Sequence, residues 1–140
     1  METFAIRLFK SLSDETRLRI VLLLAAESEL CVCEMAHALQ EIQPKVSRHL
    51  AQLRTLGLVA DHRREQWTFY RLRDDLPIWV ADLLKAMSKE RPAGLTMART
   101  RLAEMDRRPR DIISPPAPIR LLSPVQAAKH RSRKSRVSQD

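Results

Sequence analysis

Phe4, Leu8, Phe9 and Leu12 recur at three- and four-residue intervals, which predicts an amphipathic first helix. Ser13 is placed to cap a second helix opening on Asp14 and Glu15, acids suited to the positive end of a helix dipole. Leu18, Val21, Leu22 and Ala25 then predict one buried stripe, ending at the polar Glu27-Ser28-Glu29 turn. A short third helix is expected from Cys33 or Glu34 to Leu39. After the short Gln40 to Gln43 segment, Pro44 suits the first turn of a fourth helix and Gly57 can close it.

Beyond Gly57 the period changes. Leu58-Val59-Ala60 and Trp67 to Leu72 are strand-like and flank a charged segment, Asp61 to Gln66. The pattern predicts a β-hairpin, and a loop without glycine argues for a long, mobile tip rather than a tight two-residue turn. Pro77, followed by Ile78 or Trp79, Leu83, Ala86 and Met87, predicts a fifth helix from Leu76 that stops by Pro92. Leu95, Ala98, Leu102 and Met105 are spaced for a weaker sixth. The expected fold is mainly α (α+β): a winged helix-turn-helix with about five core helices and a β-hairpin wing.

Length and composition narrow this further. The chain of 140 residues is 44% apolar and 30% charged, enough for one core and a flank. Its only glycines, Gly57 and Gly94, fit neither a phosphate-binding loop nor a dinucleotide fingerprint, so most nucleotide-dependent enzymes are excluded. The net charge of +8 is unevenly placed. Residues 107–140 carry nine basic and two acidic residues (+7), whereas residues 1–106 carry 16 and 15 (+1). The natural division is one folded domain over 1–106, to which the DNA-binding and dimerisation roles expected below would fall, and a basic, proline-rich tail over 107–140, expected to be disordered. The apolar run Ile20 to Ala26 is too short to span a bilayer, and no signal-peptide pattern opens the chain, so a cytoplasmic location without membrane association is expected.

Chemistry concentrates in two places. On the fourth helix Val46, Leu50, Leu53 and Leu56 fall on one side, while Ser47, Arg48, Ala51, Gln52 and Thr55 project from the other. A slim polar face of this kind fits a major groove, where Arg and Gln pair with base edges. Ser47, Arg48 and Gln52 are the candidate readers. Gln43 and Lys45 stand at the helix N-terminus, where an anion is favoured, and His49 beside the stripe suits either packing or a phosphate bond. Arg63 and Arg64 in the hairpin would reach the minor groove. The second place is the pair Cys31 and Cys33, too close in sequence for a disulfide between them to constrain much chain.

Four segments, Leu12-Ser13-Asp14-Glu15-Thr16-Arg17-Leu18-Arg19-Ile20, Glu29-Leu30-Cys31-Val32-Cys33-Glu34-Met35, Gln43-Pro44-Lys45-Val46-Ser47-Arg48-His49-Leu50 and Trp67-Thr68-Phe69-Tyr70-Arg71-Leu72, occur in this order. Together they resemble the ArsR/SmtB metal-sensing repressors over residues 4–90. The resemblance implies a homodimer that meets through its first and fifth helices, binds an inverted-repeat operator in double-stranded DNA, and is released by trivalent arsenic or antimony. It implies a regulator and not an enzyme, with no cofactor required. The metal ligands would be Cys31 and Cys33. Where the arsenical motif often carries a third cysteine, this chain has Ala36, and the fifth helix lacks the histidines of the family's zinc site.

Thiolates suit soft ions, and a helix N-terminus at Cys33 would favour its thiolate. Residues two apart lie about 200° around a helix or roughly 6.6 Å along a strand. Neither regular geometry joins two sulfurs on one ion, so binding is expected to bend the backbone at Val32, unwind the start of the third helix and misorient the fourth. Two rivals use the same cysteines: a dithiol redox sensor on this fold, and a thiol enzyme, for which no oxyanion loop is apparent.

Overall fold

The computed structural model describes residues 2–90 and 92–109. Six helices and three short strands follow in the order α1 (Phe4–Leu12), α2 (Glu15–Glu27), β1 (Leu30–Cys31), α3 (Val32–Leu39), α4 (Gln43–Leu56), β2 (Val59–Arg64), β3 (Trp67–Leu72), α5 (Ile78–Lys89) and α6 (Ala93–Glu104). The fold is the winged helix-turn-helix that the pattern predicts. The tail expectation for 110–140 lies outside the described residues.

The second helix differs in how it starts and how much it buries. Asp14, not Ser13, is its N-cap: Asp14 Oδ1 accepts from the Arg17 N–H at 3.0 Å. Ser13 instead closes α1, its hydroxyl donating to the Lys10 carbonyl at 2.6 Å. Five consecutive residues, Ile20 to Leu24, are buried, because α2 runs through the middle of the fold and is covered all round rather than along one stripe. Leu8, Leu30, Met35, Leu50, Leu53 and Leu58 close around it.

The hairpin is tighter than expected. β2 and β3 pair antiparallel from Val59 opposite Leu72 to Arg64 opposite Trp67, so the charged segment is strand and only Glu65 and Gln66 turn. Glu65 takes the left-handed conformation (φ 55°) that glycine would usually supply. The strain, of order 1 kcal/mol, is offset by the ladder behind it. The sheet has a third strand that the pattern did not predict: β1 pairs with β3, Leu30 opposite Tyr70 and Cys31 opposite Phe69.

α6 lies against α3. Arg101 donates to the Ala38 carbonyl at 2.8 Å and Arg99 pairs with Glu27 at 2.9 Å. Three residues past the 106 boundary drawn from charge still belong to this unit, which ends at Pro109. Arg108 is buried, and its Nε donates to the equally buried Glu34 carboxylate at 2.5 Å.

Candidate functional site

α3 and α4 are joined by three residues, Gln40 to Ile42. Gln40 is left-handed (φ 54°), and its N–H and that of Glu41 return to carbonyls of the last turn of α3, which stops that helix sharply. Ile42 caps α4 without a side-chain bond, so the first amides of α4 face outward beside Pro44. At the other end Gly57 (φ 91°) ends α4 in the conformation glycine tolerates best.

The polar face of α4 emerges as the periodicity predicts. Val46, Leu50 and Leu53 are fully buried, whereas Gln43, Ser47, Arg48, Ala51, Gln52 and Thr55 are exposed. Ser47 and Arg48 make no side-chain hydrogen bond to another described residue. Lys45 is half-buried and pairs with Glu41 at 3.1 Å. His49 and Gln52 are held from below by Arg17 of α2, whose Nη1 lies 3.2 Å from His49 Nδ1 and donates to Gln52 Oε1 at 2.7 Å. Nothing in the sequence pattern marked Arg17; only the fold brings it to α4. Of the two wing arginines, Arg63 is exposed, with Nε donating to the Glu65 carbonyl at 3.3 Å. Arg64 folds back, its guanidinium 5.8 Å above the Phe69 ring.

The two sulfurs lie 2.8 Å apart. Cys31 is the last residue of β1 and has extended backbone (φ −88°, ψ 168°), while Cys33 is in the first turn of α3. The change from strand to helix between them supplies the bend that either regular element would lack. This corrects the expectation that an ion must create that bend at Val32. Glu34, on the same turn, accepts from the Cys31 N–H at 3.0 Å and ties the junction to Arg108. Burial pushes the Cys31 thiol well above its ordinary range, and its hydrogen bond with Cys33 and the nearby Glu34 charge add to the shift. The helix terminus therefore does not make Cys31 a ready thiolate. No group of three or more His, Cys, Asp or Glu among the described residues is arranged to hold a metal ion. His37 is exposed.

α1 and α5 meet through aromatic rings. Trp79 packs edge-on to Phe4 at 6.2 Å and stacks with Phe9 at 6.5 Å. The same surface leaves Ile6, Phe9, Ile78 and Trp79 between 42% and 81% exposed, a concentration of apolar surface that a lone domain rarely shows to water. No helix among the described residues is long and apolar enough to cross a membrane.

Residues 14–61 match the family model for bacterial regulatory proteins of the arsR family. The chain is 49% identical over 106 residues to the arsenic resistance transcriptional regulator ArsR1 of Pseudomonas putida, covering 76% of this chain and 83% of that protein. Over 79 residues it is 53% identical to the arsenical resistance operon repressor of Escherichia coli, covering 56% and 68%. Among solved structures, HlyU from Vibrio cholerae superposes with a TM-score of 0.56 at 33% identity, covering 64% of this chain and 96% of that one. The homodimeric winged helix-turn-helix DNA-binding domain of Mb0332 from Mycobacterium bovis gives 0.52 at 29% identity, covering 61% and 75%.

Proposed function

The chain belongs to the ArsR family of bacterial regulatory proteins, and from that membership we propose that it is a homodimeric repressor that leaves an inverted-repeat operator when trivalent arsenic or antimony engages Cys31 and Cys33. The observation that carries the reading is the 2.8 Å approach of two sulfurs at the start of the helix that leads, through three residues, into α4. A pyramidal trivalent ion bonded to both sulfurs holds them further apart than 2.8 Å. Loading thus has to spread them, and Cys31 cannot yield without pulling on its bond to Glu34 or on the first turn of α3. In this reading α4 enters the major groove with Ser47, Arg48 and Gln52 towards the bases, Gln43, Lys45 and His49 lie near phosphates, and Arg63 and Arg64 serve the wing.

The chemistry of Cys31 supplies the test. Neutral arsenous acid meets two thiols by exchanging two hydroxyls, (HO)3As + 2 RSH giving (RS)2AsOH + 2 H2O, so each thiol proton leaves in water and none is released. A divalent soft cation must expel protons, and a thiol held protonated by burial makes that harder. Operator binding titrated at fixed salt is therefore expected to show arsenite release with nearly constant midpoint between pH 6.5 and pH 8. Cadmium, if it acts at all, gains up to about tenfold in apparent affinity per pH unit for each proton expelled. Failure of arsenite and antimonite to release the operator at any pH would end the proposal.

The sulfur approach also favours a second reading, in which a peroxide oxidises the pair to a disulfide with loss of two waters. Peroxide without arsenic, against arsenite under reducing conditions, separates the two.

The apolar surface of α1 and α5 supports the homodimer. Ile78 is 81% exposed in the single chain, so Ile78→Glu is expected to leave the fold intact. It should shift the protein towards monomer in sedimentation and weaken operator binding by about 100-fold, since two half-sites then no longer bind as one. A variant that remains dimeric would place the interface elsewhere.

A further inference from the structure

We propose that Arg108 is a positioning residue of the inducer site: acting through Glu34, it latches residues 105–109 onto the bend between Cys31 and Cys33, and the closed latch and the loaded ion exclude each other. The inference rests on the reading of the two thiols as the site that takes trivalent arsenic.

Glu34 is used at both ends of its carboxylate. One oxygen accepts from the Cys31 N–H at 3.0 Å and the other from Arg108 Nε at 2.5 Å. The bend that brings the sulfurs within 2.8 Å is therefore tied, through one side chain, to a residue 74 positions beyond Glu34. Spreading the sulfurs moves Cys31 or the first turn of α3, and Glu34 is bonded to the one and part of the other. Once Glu34 shifts, Arg108 is a buried cation with no acid opposite it, a state that burial penalises heavily. Its way out is to water, with residues 105–109 following.

The segment can leave without α6. That helix stays attached through buried Ala98 and Leu102 and through the bonds from Arg101 to the Ala38 carbonyl and from Arg99 to Glu27. Beyond it the backbone turns extended at Met105, and Asp106 and Arg107 are exposed, so Arg108 and Pro109 alone are buried. Arg107 holds a left-handed backbone (φ 53°), whose strain release would relieve. Arg108 Nη2 is buried without a partner among the described residues, so even the closed latch is incompletely satisfied.

The coupling works in both directions: if loading opens the latch, removing the latch eases loading by the same factor. Full-length protein, free of DNA, is digested briefly with trypsin and its fragments are weighed by mass spectrometry. Cleavage after Arg107 needs Arg108 out of its site, so the fragment ending at Arg107 is expected to form at least about tenfold faster with arsenite than without. Cleavage after Arg101, within α6, is expected to keep its rate, and Cys33→Ser should show no response to arsenite. Calorimetric titration supplies the reciprocal measurement. Arg108→Met, studied well below its melting temperature, should bind arsenite about tenfold more tightly than the wild type, and Arg108→Lys, which keeps a charge for Glu34, should return to within about twofold of it.

The latch is overturned if arsenite leaves cleavage after Arg107 unchanged, if it speeds cleavage after Arg101 as much, or if Arg108→Met binds arsenite no more tightly than the wild type. The cleavage measurement needs no substitution at Arg108, so it decides the matter even where Arg108→Met fails to fold. A wild type that takes up no arsenite, or a Cys33→Ser that takes it up equally, refutes the thiol site itself, a distinct failure.

Discussion

Cys33→Ser is expected to bind the operator as the wild type does and to need at least about 100-fold more arsenite for release. Moving a repressor from 99% to 1% occupancy takes about 5.5 kcal/mol of differential affinity, and a site with one sulfur left cannot chelate. Cys31→Ser should lose the response equally but is the less clean variant. Cys31 is 2% exposed and is the N-cap of α3, facing the Glu34 N–H, so a serine hydroxyl there can cap the helix more firmly than the thiol and alter the junction as well as the response. Fluorescence anisotropy of a labelled operator, with arsenite titrated at constant ionic strength, measures both. If both variants release at the wild-type midpoint the thiols are not the sensor. If neither variant binds DNA while both still melt cooperatively, the pair has a structural part in the DNA-binding state.

The second large effect concerns stability. Glu34 is 0% exposed and Arg108 5% exposed, and each is the other's counter-charge across 74 positions of sequence. Arg108→Met leaves a carboxylate in the core with only the Cys31 N–H beside it, which should cost about 3 kcal/mol. In a domain of about 100 residues that lowers Tm by roughly 15 °C. Glu34→Gln should be similarly damaging, because Arg108 would be left with a buried charge while its Nη2 already has no partner among the described residues. Replacing both by leucine and methionine should recover most of the loss, since an apolar pair of similar volume often matches a buried ion pair. Thermal melts of the two single variants and the double variant decide it. Single variants that melt with the wild type would show that the pair contributes nothing. A truncation after residue 106 removes Arg108 and should behave as Arg108→Met does.

The helices were legible because their signals are local. Pro44 and Gly57 bracket α4, the 3.6-residue period separates Val46, Leu50 and Leu53 from Ser47, Arg48 and Gln52, and the structure keeps both the boundaries and the faces. What sequence missed depends on partners far along the chain. β1 has two residues, too few to carry a period, and is a strand only because β3 lies beside it. The turn at Glu65 and Gln66 contains none of the residues that favour it, and tertiary pairing imposes it regardless. Charge drew the boundary at 106 because Arg107 and Arg108 look like the start of a basic tail, although Arg108 finds an acid in the core. On the polar face of α4 the exposed residues could be named from their spacing. That Gln52 and His49 are held by Arg17, and that Arg64 is folded over Phe69, could not, because each contact joins separate elements.

Cys31 belongs to two structures at once: it begins the helix that leads to α4, and it sits opposite Phe69 in a ladder whose other edge is β2. A disturbance at this residue cannot stay on one branch. Shifting its sulfur tugs a helix on one side and a sheet on the other, so α4 and the β2–β3 hairpin would lose their alignment together. Under the proposed function, release built this way would be a concerted loss of two handholds, steeper than loosening either would give.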